Sequence, residues 1–288
     1  MADRRSTPAR AALLSLVAAS MLLAIGRFAA AASPADASNS RMAREDATRS
    51  LPFARLDAAL APKIKRVVAK PSVFRRLPVQ VIDSDPKMYH FLLNNPEVIV
   101  NIWQVMGITK VQMTRTGPNA YEASDGNGAK GTVNVAYSDQ DTQVIYCEGI
   151  YDGPMFPKPL RAQCVLVVKA GYVQETNRRY YVTTRCDAFI RFEHMGLELL
   201  AKTFQPMVNK SADINFVETA AFVSTVSRTS ELKPTGMTKL GNRLKNVSPE
   251  VREEFIKVSQ QVALRARKNG AALAQSDTRG TSQMRGQR

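Results

Sequence analysis

The chain has 288 residues, of which 44% are hydrophobic and 7% aromatic, with 15 glycines and 15 prolines. This composition excludes a wholly disordered chain and a collagen-like one, and the length suffices for one or two domains with a sizeable core. The formal net charge of +15 is typical of proteins that bind nucleic acid or an anionic surface. That interpretation depends on where the charge lies along the chain.

Residues 1–32 have the three parts of a secretory signal peptide. A basic start at Arg4 and Arg5 precedes the uncharged apolar residues 11–25, and the alanines at 30–32 offer a cleavage site. A membrane span needs about 20 apolar residues, more than this run contains. We therefore predict export to the periplasm or the medium, with an uncleaved N-terminal membrane anchor as the alternative.

The next segment, residues 33–77, is rich in alanine and serine and then in lysine and arginine, and we predict a basic, largely disordered linker. A strand is expected at Val79–Ile82. Asp85 and Asn95 each precede a proline, the pattern that opens a helix. Two short consecutive helices are therefore predicted, over Pro86–Leu93 and Pro96–Met106.

Beyond Gly107 the hydrophobic pattern changes to the two-residue period of strands. Turn signals separate six candidate strands, namely Lys110–Arg115, Ala120–Ser124, Gly131–Ser138, Gln143–Tyr151, Leu160–Ala170 and Tyr180–Phe192. The alternation predicts a sheet with one buried and one solvent-exposed face. Arg185 and Asp187 share the exposed face, where we expect a solvated pair.

Helical periodicity returns in a long helix predicted over Ser211–Val226, with Phe216, Ala220 and Val223 on one stripe. An extension over residues 233–270 carries one more helix, about 249–269, opened by Ser248 and Pro249. This helix is amphipathic through Val251, Phe255, Val258 and Val262. Residues 271–288 are predicted to be a disordered tail.

The element order over residues 78–232 is strand, two short helices, about six antiparallel strands and a long helix. This order resembles the START-like helix-grip superfamily, which includes lipid-transfer START domains and polyketide-cyclase-like proteins. Asn95-Pro96-Glu97 followed by Trp103 is the local stretch that most suggests it. The resemblance implies an α+β fold in which a curved antiparallel sheet of six to seven strands wraps around the long C-terminal helix.

The resemblance also implies a deep apolar cavity between the sheet and that helix. Each residue below either lines this cavity or fills a closed core. The candidates are Trp103, Val133, Val135, Tyr137, Ile190, Phe192, Phe216, Ala220 and Val223. Glu148 joins them as a polar anchor if it points inward, in which case burial would raise its pKa.

Cys147, Cys164 and Cys186 cannot all pair within one chain, and none belongs to a C-x-x-C motif. A hairpin centred near Gln174–Glu175 would place Cys164 opposite Cys186, so a disulfide between them is a hypothesis. No catalytic or phosphate-binding motif is present, and we predict no catalytic residue, metal or cofactor. The two histidines, His90 and His194, are expected to be surface or capping residues.

Three functions remain open on this evidence. The first is an exported, non-enzymatic binder or carrier of an apolar, lipid-like molecule. The second is an interaction module with a filled core, whose C-terminal helix and basic flanks bind a protein or envelope partner. The third, an enzyme of the cyclase or hydrolase type, rests on superfamily analogy alone.

The positive charge is concentrated in the flanks, because residues 78–232 are close to neutral. A nucleic-acid-binding fold would carry basic residues on its folded surface, so we predict no nucleic-acid partner. Weak, salt-dependent contact of the flanks with an anionic membrane or cell-wall surface is expected instead.

Overall fold

Seven helices and eight strands make up the described part of the chain, which in this computed structural model comprises residues 37–153, 158–193 and 205–285. The predicted signal peptide and His194 lie outside these residues. In chain order the elements are α1 Arg41–Arg49, α2 Ala61–Ala69, β1 Val73–Arg76, β2 Gln80–Asp83, α3 Pro86–Asn94, α4 Pro96–Val105, β3 Gln112–Gly117, β4 Ala120–Ser124, β5 Ala129–Ser138, β6 Thr142–Tyr151, β7 Leu160–Gln174, β8 Tyr180–Phe192, α5 Gln205–Leu232, α6 Pro234–Arg243 and α7 Pro249–Arg285.

The strands form one antiparallel sheet in the order β1-β8-β7-β6-β5-β4-β3, and β2 pairs with β8 beside β1. The two short strands share one edge of β8, with Val73 opposite Ile190 and Gln80 opposite Thr184. The predicted α+β class with an antiparallel sheet is confirmed, although eight strands are present where six to seven were expected. β1 was missed because it lies within the predicted linker.

The inner face of the sheet is covered by α3, α4, α5 and α7. Phe255 and Val262 of α7 and Val223 of α5 belong to one buried apolar cluster with Trp103 of α4. The amphipathic pattern that predicted a helix after Pro249 is therefore the packing face of α7. The helix continues through Gly270 to Arg285, beyond the end near residue 269 that the sequence predicts. Glycine in a helix interior costs only about 1 kcal/mol, which does not end a helix by itself.

The outer face is covered by the segment predicted to be a disordered linker, and that prediction was wrong. Ile64 and Val67 of α2 are fully buried against Val165 and Val167 of β7. The cause lies in the central strands, which are apolar at consecutive positions and must be covered on both faces. The prediction of one solvent-exposed face was therefore also wrong at the centre of the sheet.

A network of charged side chains fixes α1 to the sheet. The Arg76 guanidinium donates to the Asp187 carboxylate (2.6 Å) and to that of Asp46 in α1 (2.8 Å). Arg185 lies 3.5 Å from Asp187. The expected solvated Arg185–Asp187 pair was wrong, because α1 covers this part of β8 and Asp187 is fully buried. A buried carboxylate needs such partners to stay ionised.

Candidate functional site

A cavity of about 120 Å³ lies between α5, the α3–α4 pair and the inner face of the sheet. The helix α5 forms one wall, and the central strands β6, β7 and β8 form the floor. Its lining comprises Ile82, Tyr89, Leu92, Leu93, Pro96, Ile99, Gln143, Ile145, Leu166, Val168, Thr184, Cys186, Phe216, Thr219, Ala220 and Val223.

The wall from α5 follows directly from helical spacing. Phe216, Ala220 and Val223 recur at intervals of four and three residues, which places them on one face of the helix. Arg75 of β1 donates to Asp213, one turn earlier on α5, at 3.0 Å. That ion pair joins the sheet edge to α5 and holds the apolar face of the helix over the floor.

Two polar atoms of the lining are buried without a hydrogen-bond partner among the described residues: Gln143 Oε1 and Thr219 Oγ1. The amide nitrogen of Gln143 donates to Asn94 Oδ1 at 3.0 Å, which fixes the orientation of this fully buried side chain. An unpartnered buried polar atom costs about 1–3 kcal/mol. Gln143 and Thr219 both line the cavity, and each keeps a buried oxygen that lacks a hydrogen bond from any described residue.

A second polar pair borders the cavity and is already satisfied. The Tyr89 hydroxyl donates to Thr184 Oγ1 at 3.0 Å. Burial raises the pKa of Tyr89 to about 12, and the hydrogen bond to Thr184 opposes that shift only in part. Burial likewise raises the pKa of the Cys186 thiol. Both groups are neutral at physiological pH, so the described lining offers hydrogen bonds and apolar contact but no ionised side chain.

The cavity volume limits what can bind. Typical drug-sized ligand pockets measure roughly 300–1,000 Å³. A cavity of about 120 Å³ is thus the size of a single small ring or a short branched chain. It is too small to enclose a complete lipid.

Of the sequence-predicted lining residues, Phe216, Ala220 and Val223 border this cavity. Five others lie in the neighbouring packed core: Trp103, Val133, Val135, Ile190 and Phe192. The Trp103 ring is fully buried and contacts the Phe222 ring, with centroids 5.4 Å apart. In the structure, these five residues fill the core.

Tyr137 lies on the outer face, although Val133 and Val135 of the same strand face inward. The register of β5 against β6 shifts between Val135 and Tyr137, a β-bulge that inserts one residue. One added residue reverses the side to which all later side chains point. Tyr137 consequently packs against the outer cluster and does not line the cavity.

Glu148 also lies on the outer face, where Lys63 of α2 donates to it at 3.1 Å and Tyr146 at 2.7 Å. Burial alone would raise the pKa of Glu148, but these two hydrogen bonds outweigh it and leave the pKa below its ordinary value. The prediction of a polar anchor inside the cavity was therefore wrong. Glu148 instead ties α2 to β6.

All three cysteines are buried free thiols. The turn between β7 and β8 is centred on residue 177, because Gln174 pairs with Tyr180. This centre is two residues later than predicted, and it places Cys164 opposite Ile190 and Cys186 opposite Val168. The predicted Cys164–Cys186 disulfide does not form. Cys147 is the residue opposite Cys164.

The lining residues that sequence reasoning missed come mainly from α3 and α4, such as Tyr89, Leu92 and Ile99. Their helices were predicted, but nothing in a single sequence shows which helix faces the sheet. Gln143 was missed because a polar residue at the start of a strand is usually solvent-exposed. Its position directly beside the α3 C-terminus is a property of the tertiary fold.

Two further observations bear on the kind of site. Within the residues that the structure describes, no three histidine, cysteine or acidic side chains are grouped where they could hold a metal ion. Across the same described ranges, no helix is both long enough and apolar enough to cross a bilayer.

Comparison with known proteins finds no matching family model and no matching curated protein sequence. Among solved structures, dicamba monooxygenase bound to dicamba is similar, at 9% identity and a TM-score of 0.29. The similarity covers 71% of this chain and 62% of that one, less than two thirds of its length. At this level it carries no argument about function. The antiparallel sheet with C-terminal helices packed against it fits a helix-grip-like fold.

Proposed function

We propose that the protein binds a compact apolar molecule carrying a hydrogen-bond donor in the cavity beneath α5. The observation that carries this proposal is a pair of buried oxygens in a mostly apolar lining, Gln143 Oε1 and Thr219 Oγ1, which have no hydrogen-bond partner among the described residues. An apolar pocket with a few fixed polar groups is the general form of a small-molecule site. The N-terminal pattern supports an exported location for this binder.

The two oxygens determine which hydrogen-bonding groups a ligand should carry. A side-chain amide oxygen only accepts hydrogen bonds, whereas a threonine hydroxyl donates and accepts. A ligand hydroxyl or N–H donating to Gln143 Oε1 would remove the cost of its burial. A wholly apolar ligand would leave that cost in place, so ligands with one donor are preferred.

Binding without turnover is the role that this lining supports. Its polar groups are an amide, hydroxyls and a protonated thiol, which orient a ligand but supply no ionised acid or base. We therefore propose a carrier or sensor of the bound molecule in place of an enzyme.

The second candidate function is an interaction module in which the cavity is a packing defect. The small cavity volume favours it, as does the enclosure of both sheet faces by helices. This candidate and the first differ in one respect that can be measured. Only a binding site discriminates between molecules of equal size.

Calorimetric titration with phenol and with toluene tests the proposal, because the two differ by one hydroxyl. We expect phenol to bind at 1:1 stoichiometry and at least tenfold more tightly than toluene. Ala220→Leu places extra atoms in the cavity and should abolish binding. Ala221→Leu, the same change at the exposed neighbouring position of α5, is the matched control and should bind phenol normally.

Equal weak binding of both compounds, or phenol binding that survives Ala220→Leu, would overturn the proposal and favour the packing defect. Thr219→Val keeps the shape of the wall and removes one oxygen. It should reduce the preference for phenol without preventing toluene from entering.

A further inference from the structure

A second concave site of about 540 Å³ lies away from the apolar cavity, between the β7–β8 turn, the end of α5 and α7. We call it the arginine groove. It is lined by Asp85, Asn177, Arg178, Arg179, Tyr180, Arg228, Glu231, Leu232, Val262, Arg265, Ala266, Arg267, Asn269 and Gly270. Five of these lining residues are arginines and two, Asp85 and Glu231, are acidic.

Three of the arginines have carboxylate partners. Arg179 donates to Asp83 at 2.5 Å, and Arg228 donates to Glu231 at the same distance. Arg265 lies 2.8 Å from Asp85. These pairs are half-buried and form the fixed wall of the groove.

The remaining two, Arg178 and Arg267, have no side-chain partner among the residues that the structure describes, and both are exposed. Asn269 of α7 donates to the backbone oxygen of Arg178 at 3.0 Å, which holds the β7–β8 turn against α7. Arg178 and Arg267 line the same groove, which thus carries two positive charges without a carboxylate partner among the described residues.

Arg178 occupies a backbone conformation that disfavours it. Its φ of 60° is the one positive value of a non-glycine residue in the described chain. Glycine or asparagine is preferred there, and another side chain costs of order 1 kcal/mol. Strained residues of this kind concentrate at functional sites. An arginine at this turn position is thus present at the expense of stability.

An apolar strip completes the groove. Leu232, at the end of α5, is 68% exposed, and the half-buried Ala266 of α7 also lines the groove. A leucine this exposed beside free guanidinium groups suits a ligand with an anionic head and an apolar chain.

We propose that the arginine groove binds a phosphate monoester with a short apolar chain, its phosphate held by Arg178 and Arg267 and its chain on Leu232. Guanidinium groups match phosphate oxygens in paired hydrogen bonds. A phosphate monoester carries close to two negative charges at neutral pH, equal to the two free positive charges. This site is independent of the cavity beneath α5.

Octyl phosphate below its micellar concentration is the probe, titrated into the full protein by calorimetry. We expect 1:1 binding at least tenfold tighter than that of octanoate, inorganic phosphate or octyl glucoside. Binding should weaken steeply with salt. Equal binding by octanoate or octyl glucoside would overturn the assignment of a phosphate, and equal binding by inorganic phosphate would overturn the role of the chain.

Arg178→Gly gives the sharpest variant, because it removes a charge and relieves the backbone at once. It should raise the melting temperature and weaken octyl phosphate binding at least tenfold, and Arg267→Gln should weaken it similarly. Arg161→Gln, at the opposite end of β7, is the matched control and should bind normally. Unchanged binding by Arg178→Gly and Arg267→Gln together would contradict the proposal.

Co-sedimentation with vesicles that contain phosphatidic acid distinguishes a lipid headgroup from a soluble phosphate ester as the ligand. Co-sedimentation that Arg178→Gly abolishes would identify a lipid headgroup as the ligand. Octyl phosphate binding without co-sedimentation would identify a soluble phosphate ester. Either result supports the groove, and binding to neither probe contradicts it.

Discussion

Thr219 is an example of a residue whose role could not be predicted from the sequence, although the role of its neighbours could. The stripe of Phe216, Ala220 and Val223 could be predicted because apolar residues at helical spacing must face a core. Thr219 lies beside that stripe, and its buried hydroxyl has no partner within the described ranges of the chain. Such a hydroxyl can face solvent, a hydrogen-bond partner or a cavity, depending on which element packs opposite it. The periodicity of the sequence does not show which element that is.

The cost of that unpartnered hydroxyl leads to a stability prediction. Thr219→Val removes the polar atom and keeps the branched shape, so the free energy of unfolding should rise by about 1 kcal/mol. Urea denaturation measures the change, and Thr225→Val is the control, because its exposed hydroxyl donates to Ala221 O. A loss of stability in Thr219→Val would show that its hydroxyl has a partner.

Among the secondary-structure elements, α1 and α2 differ most from the sequence-based expectation. The strands β3–β8 and helices α3–α5 could be predicted from alternation, turn residues and proline caps, which act locally. The segment around α2 was misjudged because its lysines and arginines suggested a solvated linker, while Ile64, Val67 and Val68 form a narrow apolar face. The outward-facing Val144 and Tyr146 of β6 and Val165 and Val167 of β7 were the signal that another element must cover this face.

Because α2 is packed on the sheet, shortening one of its buried side chains should strongly lower the stability of the fold. Ile64 is fully buried, so Ile64→Ala should lower the free energy of unfolding by about 2–5 kcal/mol. Ile214→Ala is the matched control, since that side chain is 45% exposed, and it should cost much less. Equal small losses in urea denaturation would show that α2 is not packed on the sheet.

Because an ion pair holds α1 to the sheet, we expect the stability of the folded state to depend on pH. The hydrogen bond from Arg76 lowers the pKa of Asp46 below its ordinary value of 3.8, against an opposing effect of burial. The folded state is therefore stabilised while Asp46 is charged. That stabilisation is present above pH 3.8 and is lost as the pH falls through the lower, folded-state pKa.

Asp46→Asn should accordingly be less stable than the unsubstituted protein at pH 7. The difference should narrow as the pH falls below 3.8. Because Asp46 is about half exposed, the effect at pH 7 should be modest, about 0.2–1 kcal/mol. Thermal denaturation across pH measures it, with Asp152→Asn in an exposed turn as control. If the stability difference between Asp46→Asn and the unsubstituted protein is the same at every pH, the ion pair is not the cause of that difference.

For the whole molecule, the structure changes the meaning of the +15 charge. Part of the supposed linker is folded, so Lys63, Lys65 and Arg66 of α2 belong to the outer surface of the domain. Contact of basic residues with an anionic membrane or cell wall stays a prediction, now involving a folded face as well as flanks. The absence of a nucleic-acid partner likewise stays a prediction.

Export gives a prediction for the mature chain. Cleavage after Ala32 would leave Ser33 as the first residue of the protein recovered from its own host. Intact-mass measurement and N-terminal sequencing check this. A full-length chain in the membrane fraction would instead support the N-terminal anchor.

The most direct test of the binding proposal is native mass spectrometry of the protein from its own host. We expect a bound small molecule on the unsubstituted protein and on Ala221→Leu, and its loss in Ala220→Leu. Its mass should fit a cavity of about 120 Å³, and it should carry a hydroxyl or N–H group. The same clean protein mass for all three chains would contradict a ligand-binding role for the cavity.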